Sequence, residues 1–72
     1  MLVGDLVYNN DFDYDSDYRI YDCTDGNSWH EAKVIFDTRI NGWHKPLDII
    51  LDMKIGYITT NDNVIIIEAI QR

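Results

Sequence analysis

The last third of the chain constrains the fold most strongly, because two strand-like runs stand on either side of a turn sequence. Residues 54–60 and residues 64–70 are rich in β-branched and aromatic residues, and Asn61-Asp62-Asn63 between them is typical of a turn. The second run is nearly continuous in Ile and Val, interrupted by Glu68. A strand without apolar–polar alternation is usually covered on both faces, so we expect a β-hairpin whose second strand lies inside a sheet.

Length and composition indicate one small folded unit. The chain has 72 residues, so we expect a single domain over residues 1–72 that buries about 60% of the surface of its unfolded chain. Hydrophobic residues make up 46% of the sequence, which is enough for a packed core. Cys23 is the single cysteine, and the first residues lack the basic and apolar regions of a signal peptide. No apolar run is long enough to cross a bilayer, so we expect a cytoplasmic location.

The chain is acidic, and its charge is unevenly distributed. Thirteen acidic residues against six basic ones give a net charge of −7, and residues 1–25 hold seven aspartates but one basic residue, Arg19. Direct binding to nucleic acid or to an anionic membrane is therefore disfavoured, because both attract basic side chains. The acidic first third instead predicts a protein partner with a basic surface.

Local patterns predict the elements that precede the hairpin. Residues 2–8 fit a helix by i, i+4 spacing and a strand by alternation, and the two readings stay open. Residues 18–23 have strand composition and lead into a turn around Asp25-Gly26. Residues 31–40 show the clearest alternation in the chain, with Ala, Val, Phe, Thr and Ile on one face, and are expected to be the partner strand.

A short helix is expected between the two hairpins. Pro46 suits the first helical position and Asp48 complements the helix dipole in the first turn. Leu47, Ile50 and Leu51 form an apolar stripe over one or two turns that end near residue 52 or 53.

The expected fold class is α+β. We predict a small, mostly antiparallel four-stranded sheet of two hairpins, with one short helix between them and a short N-terminal element. If residues 2–8 form a strand, the alternative is an OB-like five-stranded barrel. The α+β fold is preferred because the chain has only four glycines, whereas small barrels use glycines or bulges where strands bend.

Four aspartates resemble the ligands of a calcium loop at its first, third, fifth and twelfth positions: Asp11, Asp13, Asp15 and Asp22. Ser16 stands where such a loop has a glycine, Arg19 places a cation at the ninth position, and no helices flank the segment. Ca²⁺ binding is therefore the alternative, and a solvated acidic loop without metal or cofactor is preferred.

The same stretch also predicts a protein interface, formed by Asp11, Phe12, Asp13, Tyr14, Asp15, Asp17 and Tyr18. In an extended conformation the carboxylates project on one side and the rings on the other. Such a row would imitate nucleic-acid phosphates if further carboxylates lay alongside it, and would then inhibit a basic partner. Two other possibilities stay open: that the rings fold back onto a small core, and that the chain is a structural domain without a ligand.

Enzyme activity is not expected from this sequence. Cys23, His30, Glu31 and His44 match no spacing of a zinc site or of a thiol nucleophile with its base. An exposed edge of the terminal hairpin would allow two copies to pair as a homodimer.

Three segments carry a resemblance to a group of proteins. Val3-Gly4-Asp5-Leu6-Val7, Tyr18-Arg19-Ile20-Tyr21-Asp22 and the terminal hairpin of residues 55–69 resemble small uncharacterised proteins of phage and mobile-element regions in Gram-positive gut bacteria. The resemblance implies an accessory intracellular role and transfers no catalytic residues. Small acidic proteins of mobile elements include inhibitors of host defence, so the resemblance favours the protein-interface hypothesis by analogy.

Overall fold

A computed structural model describes residues 1–8 and 16–72, which form three short helices and four strands. The helices and strands, in chain order, are α1 Val3–Val7, β1 Asp17–Asp22, β2 Lys33–Asp37, α2 Thr38–Asn41, α3 Asp48–Leu51, β3 Lys54–Asn61 and β4 Val64–Ile70. The predicted α+β class is confirmed, with four strands in one sheet and short helices.

The sheet is mixed, with the strand order β2-β1-β4-β3. β1 pairs antiparallel with β2, and β3 pairs antiparallel with β4, as the two predicted hairpins require. The inner strands β1 and β4 are parallel, in a register that runs from Asp17 opposite Val64 to Asp22 opposite Ala69. The expectation of a mostly antiparallel sheet is corrected here. Residues 38–53 carry the chain back along the sheet after β2, so β3 starts at the end of the sheet where β1 finishes and β4 then runs parallel to β1.

β4 lies inside the sheet and is covered on both faces, as its apolar sequence predicted. The cluster on the first face joins the helices to the sheet and comprises Val3, Val7, Tyr18, Ile20, Phe36, Ile50, Leu51, Met53, Ile67 and Ala69. The cluster on the second face comprises Tyr21, Cys23, Val64 and Ile66, with Trp29 and Ala32 packed against it. Ile66 and Ile67 are both fully buried, which explains why the strand needs apolar residues at successive positions.

The turn between β3 and β4 is a two-residue connection. Asp62 and Asn63 have φ angles of 52° and 65°, and Asn61 lies opposite Val64. Positive φ at both central positions defines a type I′ turn, whose twist matches that of the flanking strands. The hairpin predicted from the turn sequence is therefore confirmed.

Within residues 2–8, for which the sequence left helix and strand open, Val3–Val7 form α1. Val3 and Val7 bury their side chains one helical turn apart, and Asp5 accepts the Leu2 N–H at 3.0 Å. Gly4 allows α1 to approach α3, because a Cβ at this position would lie 3.3 Å from the Leu51 carbonyl oxygen. The OB-like barrel, which required a strand here, is not confirmed.

The strand predicted over residues 31–40 is shorter than expected. β2 ends at Asp37, whose side chain accepts the Arg39 N–H at 2.8 Å and so caps α2. The register also shifts, since Ile20 lies opposite Phe36 and Tyr21 opposite Val34. The extra residue in β2 moves Phe36 to the helix-covered face, so the predicted single apolar face is divided between the two sides of the sheet.

The predicted helix near residues 46–53 is present as one turn, α3. Ile50 and Leu51 enter the core as expected, whereas Leu47 precedes the helix at its N-cap and is 70% exposed. The buried apolar stripe therefore consists of Ile50 and Leu51, without the Leu47 that the sequence pattern had included.

Candidate functional site

The candidate site is a groove of about 320 Å³ between the end of α1 and the chain that follows α2. Its lining residues are Val7, Tyr8, Tyr18, Trp43, His44, Lys45 and Pro46. α2 is followed by its C-cap Gly42, which has a φ of 77°, a conformation that glycine adopts without strain. This turn brings residues 43–46 back over the first face of the sheet, next to Tyr18 of β1.

Two of the aromatic rings that line the groove, Tyr18 and Trp43, are in contact, and Phe36 stacks on Tyr18. The rings of Phe36 and Tyr18 stack with centroids 5.7 Å apart, and Trp43 meets Tyr18 edge-on at the same separation. Tyr18 is buried, so it anchors the indole from below. Trp43 nevertheless remains 52% exposed, and Tyr8, which also lines the groove, is 55% exposed. Half-exposed aromatic rings held by a packed neighbour are typical of protein-binding surfaces.

The charged groups around the groove include both signs. Lys45 Nζ lies 3.4 Å from Asp48 Oδ1, and both side chains are exposed. The acidic segment, defined as residues 9–15, joins Tyr8 to Ser16 and carries three aspartates and no basic residue. Chain connectivity therefore attaches the most acidic part of the sequence directly to a residue that lines the groove.

Asp17, a predicted interaction residue, takes part in contacts within the chain. Its Oδ1 accepts the Thr38 hydroxyl at 2.8 Å, and its Oδ2 lies 2.9 Å from Nε of Arg39. Hydrogen bonds from Arg39 and Thr38 hold the pKa of the Asp17 carboxyl below its usual value. Because Thr38 Oγ1 also accepts the Tyr18 N–H at 3.1 Å, these contacts join the start of β1 to α2 beneath the groove.

The other residues predicted for the interface divide into two groups. Tyr18 is part of the core and supports the groove through Trp43. The remaining predicted interface residues lie outside the described residues: Asp11, Phe12, Asp13, Tyr14 and Asp15. The structure adds Trp43 and Tyr8 as candidates. Trp43 follows Asn41-Gly42 and lies close before Pro46, residue types that are typical of an irregular surface segment.

The alternative calcium loop contributes one described ligand, Asp22. Its Oδ1 accepts the Thr24 N–H at 3.1 Å, and contacts with Thr24 followed by the charge of Lys33 hold the pKa of the Asp22 carboxyl below its usual value. Residues 17–22 are an extended strand, which places Asp17 and Asp22 roughly 17 Å apart at its two ends. In the part of the chain that the structure describes, no three His, Cys, Asp or Glu side chains are grouped to hold a metal ion.

Cys23 does not have the surroundings of a reactive thiol. It is buried on the second face of the sheet. Burial, followed by the nearby charges of Glu68 and Asp22, raises the pKa of the Cys23 thiol above its usual value. Reactive cysteines occupy electropositive, partly exposed sites that favour the thiolate, so this thiol is suited to packing.

A second groove, of about 390 Å³, lies between β2 and α3. Val34, Leu47 and Ile49 expose apolar side chains there, while Lys33 and Asp22 contribute opposite charges. The balanced charge of this groove gives it no preference for an acidic or a basic partner.

Comparison with protein-family models, with curated proteins and with solved structures finds no match for this chain. Among the helices of residues 1–8 and 16–72, none has the length and apolar character needed to span a membrane.

Proposed function

We propose that the chain is a small cytoplasmic interaction module that binds a partner protein with a basic surface. The groove and the acidic segment, which follows the groove residue Tyr8 in the chain, supply the binding surface. The single observation that supports this proposal is the half-exposed indole of Trp43, held over the core by Tyr18 in a groove to which the acidic segment is attached.

The chemistry of this surface suits lysine and arginine side chains. A cation over an indole face gains about 0.5–1 kcal/mol at an exposed site, and the carboxylates of the acidic segment would add electrostatic attraction. A net charge of −7 would also speed the encounter with a basic protein at low ionic strength. Since these forces are screened by salt, the proposed affinity falls as ionic strength rises.

A more specific form of the proposal is that the acidic segment imitates nucleic-acid phosphates and blocks a basic nucleic-acid-binding protein. In this proposal Asp11, Asp13 and Asp15, at alternate positions of the sequence, supply the negative charge. The resemblance to small proteins of mobile elements is in keeping with such an inhibitor. We expect the wild-type chain to displace duplex DNA from its partner protein. If the partner binds the chain and DNA at the same time, the imitation of nucleic acid is wrong and ordinary protein binding is left.

The test compares two variants of equal charge. Asp11→Asn/Asp13→Asn/Asp15→Asn removes three charges from the acidic segment, and Asp25→Asn/Glu31→Gln/Asp52→Asn removes three from exposed positions elsewhere. Both are titrated with a short arginine-rich peptide. To make the signal specific for Trp43, the titrations follow tryptophan fluorescence in a Trp29→Phe background, which leaves one tryptophan.

We expect the first variant to bind the peptide on the order of tenfold more weakly than the wild type, with a smaller effect in the second. Trp43→Ala should weaken binding as measured by calorimetry while leaving the melting temperature nearly unchanged. Equal loss in the two charge variants would show that net charge alone attracts the peptide, and the proposed site would then be wrong. Calorimetric titration with Ca²⁺ tests the alternative, for which micromolar binding abolished by Asp13→Asn is the expected result.

A further inference from the structure

Asn41 and Gly42 form the turn that leads from α2 to the groove. Asn41 is the last residue of α2 and its side chain is exposed, while Gly42 follows as the C-cap with a φ of 77°. An asparagine before a glycine can lose its side-chain amide, because the backbone nitrogen of the glycine reaches Cγ of the asparagine without hindrance from a Cβ. The pair is therefore chemically labile, and its surroundings decide whether it reacts.

The side-chain carbonyl of Asn41 is held by a backbone donor. The Asp37 N–H donates to Oδ1 of Asn41 at 3.0 Å. A donor at this oxygen polarises the C=O bond and stabilises the negative charge that the oxygen gains when Cγ is attacked. Because Oδ1 takes this bond, Nδ2 is the atom that departs in an attack on Cγ.

The imidazole of His44 lies against the backbone of Gly42. A Cβ at Gly42 would lie 3.2 Å from Cδ2 and 3.3 Å from Nε2 of His44. Since Cβ and the backbone nitrogen of one residue are about 2.5 Å apart, Nε2 lies no more than about 6 Å from the Gly42 nitrogen, a distance that one water can bridge. Imidazole accepts protons near neutral pH, so His44 is placed to take the proton of the Gly42 N–H through one water.

The Gly42 N–H must first leave its partner in the helix. It donates to the Thr38 carbonyl at 2.9 Å. α2 has four residues, and a single turn opens readily because so few hydrogen bonds hold it. Asp37 is the last residue of β2, so the sheet keeps its N–H in place when the turn opens. Opening of α2 thus frees the nucleophile and leaves the donor to Oδ1 where it is.

We propose that Asn41 is a site of spontaneous deamidation, in which His44 acts as the base and the Asp37 N–H stabilises the oxyanion. The Gly42 nitrogen gives its proton to His44 and forms a bond to Cγ. The Cγ–Nδ2 bond then breaks, and ammonia leaves with the proton that His44 returns. Water opens the resulting five-membered imide at either carbonyl, which gives aspartate or isoaspartate at position 41.

The product changes the chain next to the groove. Either form adds one negative charge between α2 and Trp43, and isoaspartate also lengthens the main chain by one carbon at this point. The reaction needs only water as co-reactant, so it does not rest on the proposed function.

Peptide mapping by mass spectrometry, during incubation of the folded chain near neutral pH, provides the first test. Trypsin cuts after Lys and Arg but not before Pro46, so Asn41 falls in the peptide of residues 40–54 and Asn27, the reference, in that of residues 20–33. Each deamidation adds about 1 Da to its peptide. We expect Asn41 to convert about tenfold faster than Asn27, which is exposed and precedes a serine.

The two histidines provide a matched pair of variants. His44→Gln should slow the conversion of Asn41 about tenfold, whereas His30→Gln, at an exposed ring stacked on Trp29, should leave it unchanged. Added imidazole should accelerate the conversion more in His44→Ala than in the wild type, a response that a structural role of His44 would not give. Thermal melting verifies that each variant is folded. Conversion of Asn41 no faster than that of Asn27, equal rates in the two glutamine variants, or no preferential acceleration by imidazole would overturn the proposal.

Discussion

Arg19 and Asp37 face each other across β1 and β2, with Nε of Arg19 2.8 Å from Oδ2 of Asp37. The Asp37 side chain is almost completely buried, and its Oδ1 accepts the Arg39 N–H. Arg19 also donates to the Tyr21 hydroxyl at 3.0 Å, and the hydrogen bonds to Tyr21 and then to Asp37 raise the pKa of its guanidinium above the usual value. A single carboxylate thus joins the first strand pair to α2.

Replacing Asp37 by alanine should lower the free energy of unfolding by about 2–4 kcal/mol, because the cap of α2 and a charge-assisted hydrogen bond are lost together and Arg19 is left unpaired. Urea denaturation measures the change. Asp17→Ala, which breaks the more exposed pair with Arg39, is the matched comparison and should cost less. Equal losses in the two variants would contradict the role assigned to burial of Asp37.

Acid should weaken the contributions of Asp17 and Asp22. Both carboxyls have folded-state pKa values below the ordinary value of 3.8, so each favours folding when ionised. This stabilisation is present above the pKa of the unfolded chain, near 3.8, and is lost as pH falls through the lower folded pKa. We expect Asp17→Asn/Asp22→Asn to melt below the wild type at pH 7, with the difference shrinking below about pH 4. A deficit in melting temperature that stays the same as pH falls would contradict this account.

Two glycines should respond to alanine for different reasons. A Cβ at Gly56 would lie 2.7 Å from Cδ1 of Ile70, the end of a half-buried side chain that can move. Gly56→Ala should therefore change the free energy of unfolding by less than about 1 kcal/mol, and Ile70→Val should improve its tolerance. Gly26 has open space around it but a φ of 87°, so Gly26→Ala should cost about 1–2 kcal/mol. Urea denaturation of the two variants distinguishes crowding from backbone strain, and the opposite ranking would refute this account.

The turn between β3 and β4 offers a stabilising change. Asn63 occupies the second central position of the type I′ turn with a φ of 65°, where glycine is preferred. Asn63→Gly should raise the free energy of unfolding by about 0.5 kcal/mol, whereas Asn63→Ala should lower it by about 1 kcal/mol. Thermal melting of the pair measures the difference, and a gain from alanine would show that the turn adopts another type.

The hairpin and the central position of β4 were predictable because their signals are local. Consecutive apolar residues from Val64 onward require cover on both faces, and Asn61-Asp62-Asn63 has the residue types of a tight turn. The parallel pairing of β1 with β4 was not predictable from these signals. It depends on the direction in which residues 38–53 return the chain, which no residue pattern within either strand records.

The structure differs from the sequence-based prediction at the end of β2 and in the candidate site. Asp37 is a good helix N-cap and Asn41-Gly42 a good helix end, yet the alternation of residues 31–40 favoured a continuous strand. In the candidate site, the acidic composition was visible in the sequence, whereas the exposure of Trp43 depends on its packing against Tyr18. A contact between residues far apart in the chain cannot be read from composition.

The position of β4 between β1 and β3 has a consequence for biosynthesis. Residues 64–70 are needed by the partner strands on both sides, yet they follow both of them in the chain. Before these residues are synthesised, the strand that lies between β1 and β3 is missing. The apolar side chains of both strands then stay exposed to water. Folding of the nascent chain must therefore await the emergence of these seven residues, and until then the polypeptide is most vulnerable to proteases and chaperone capture.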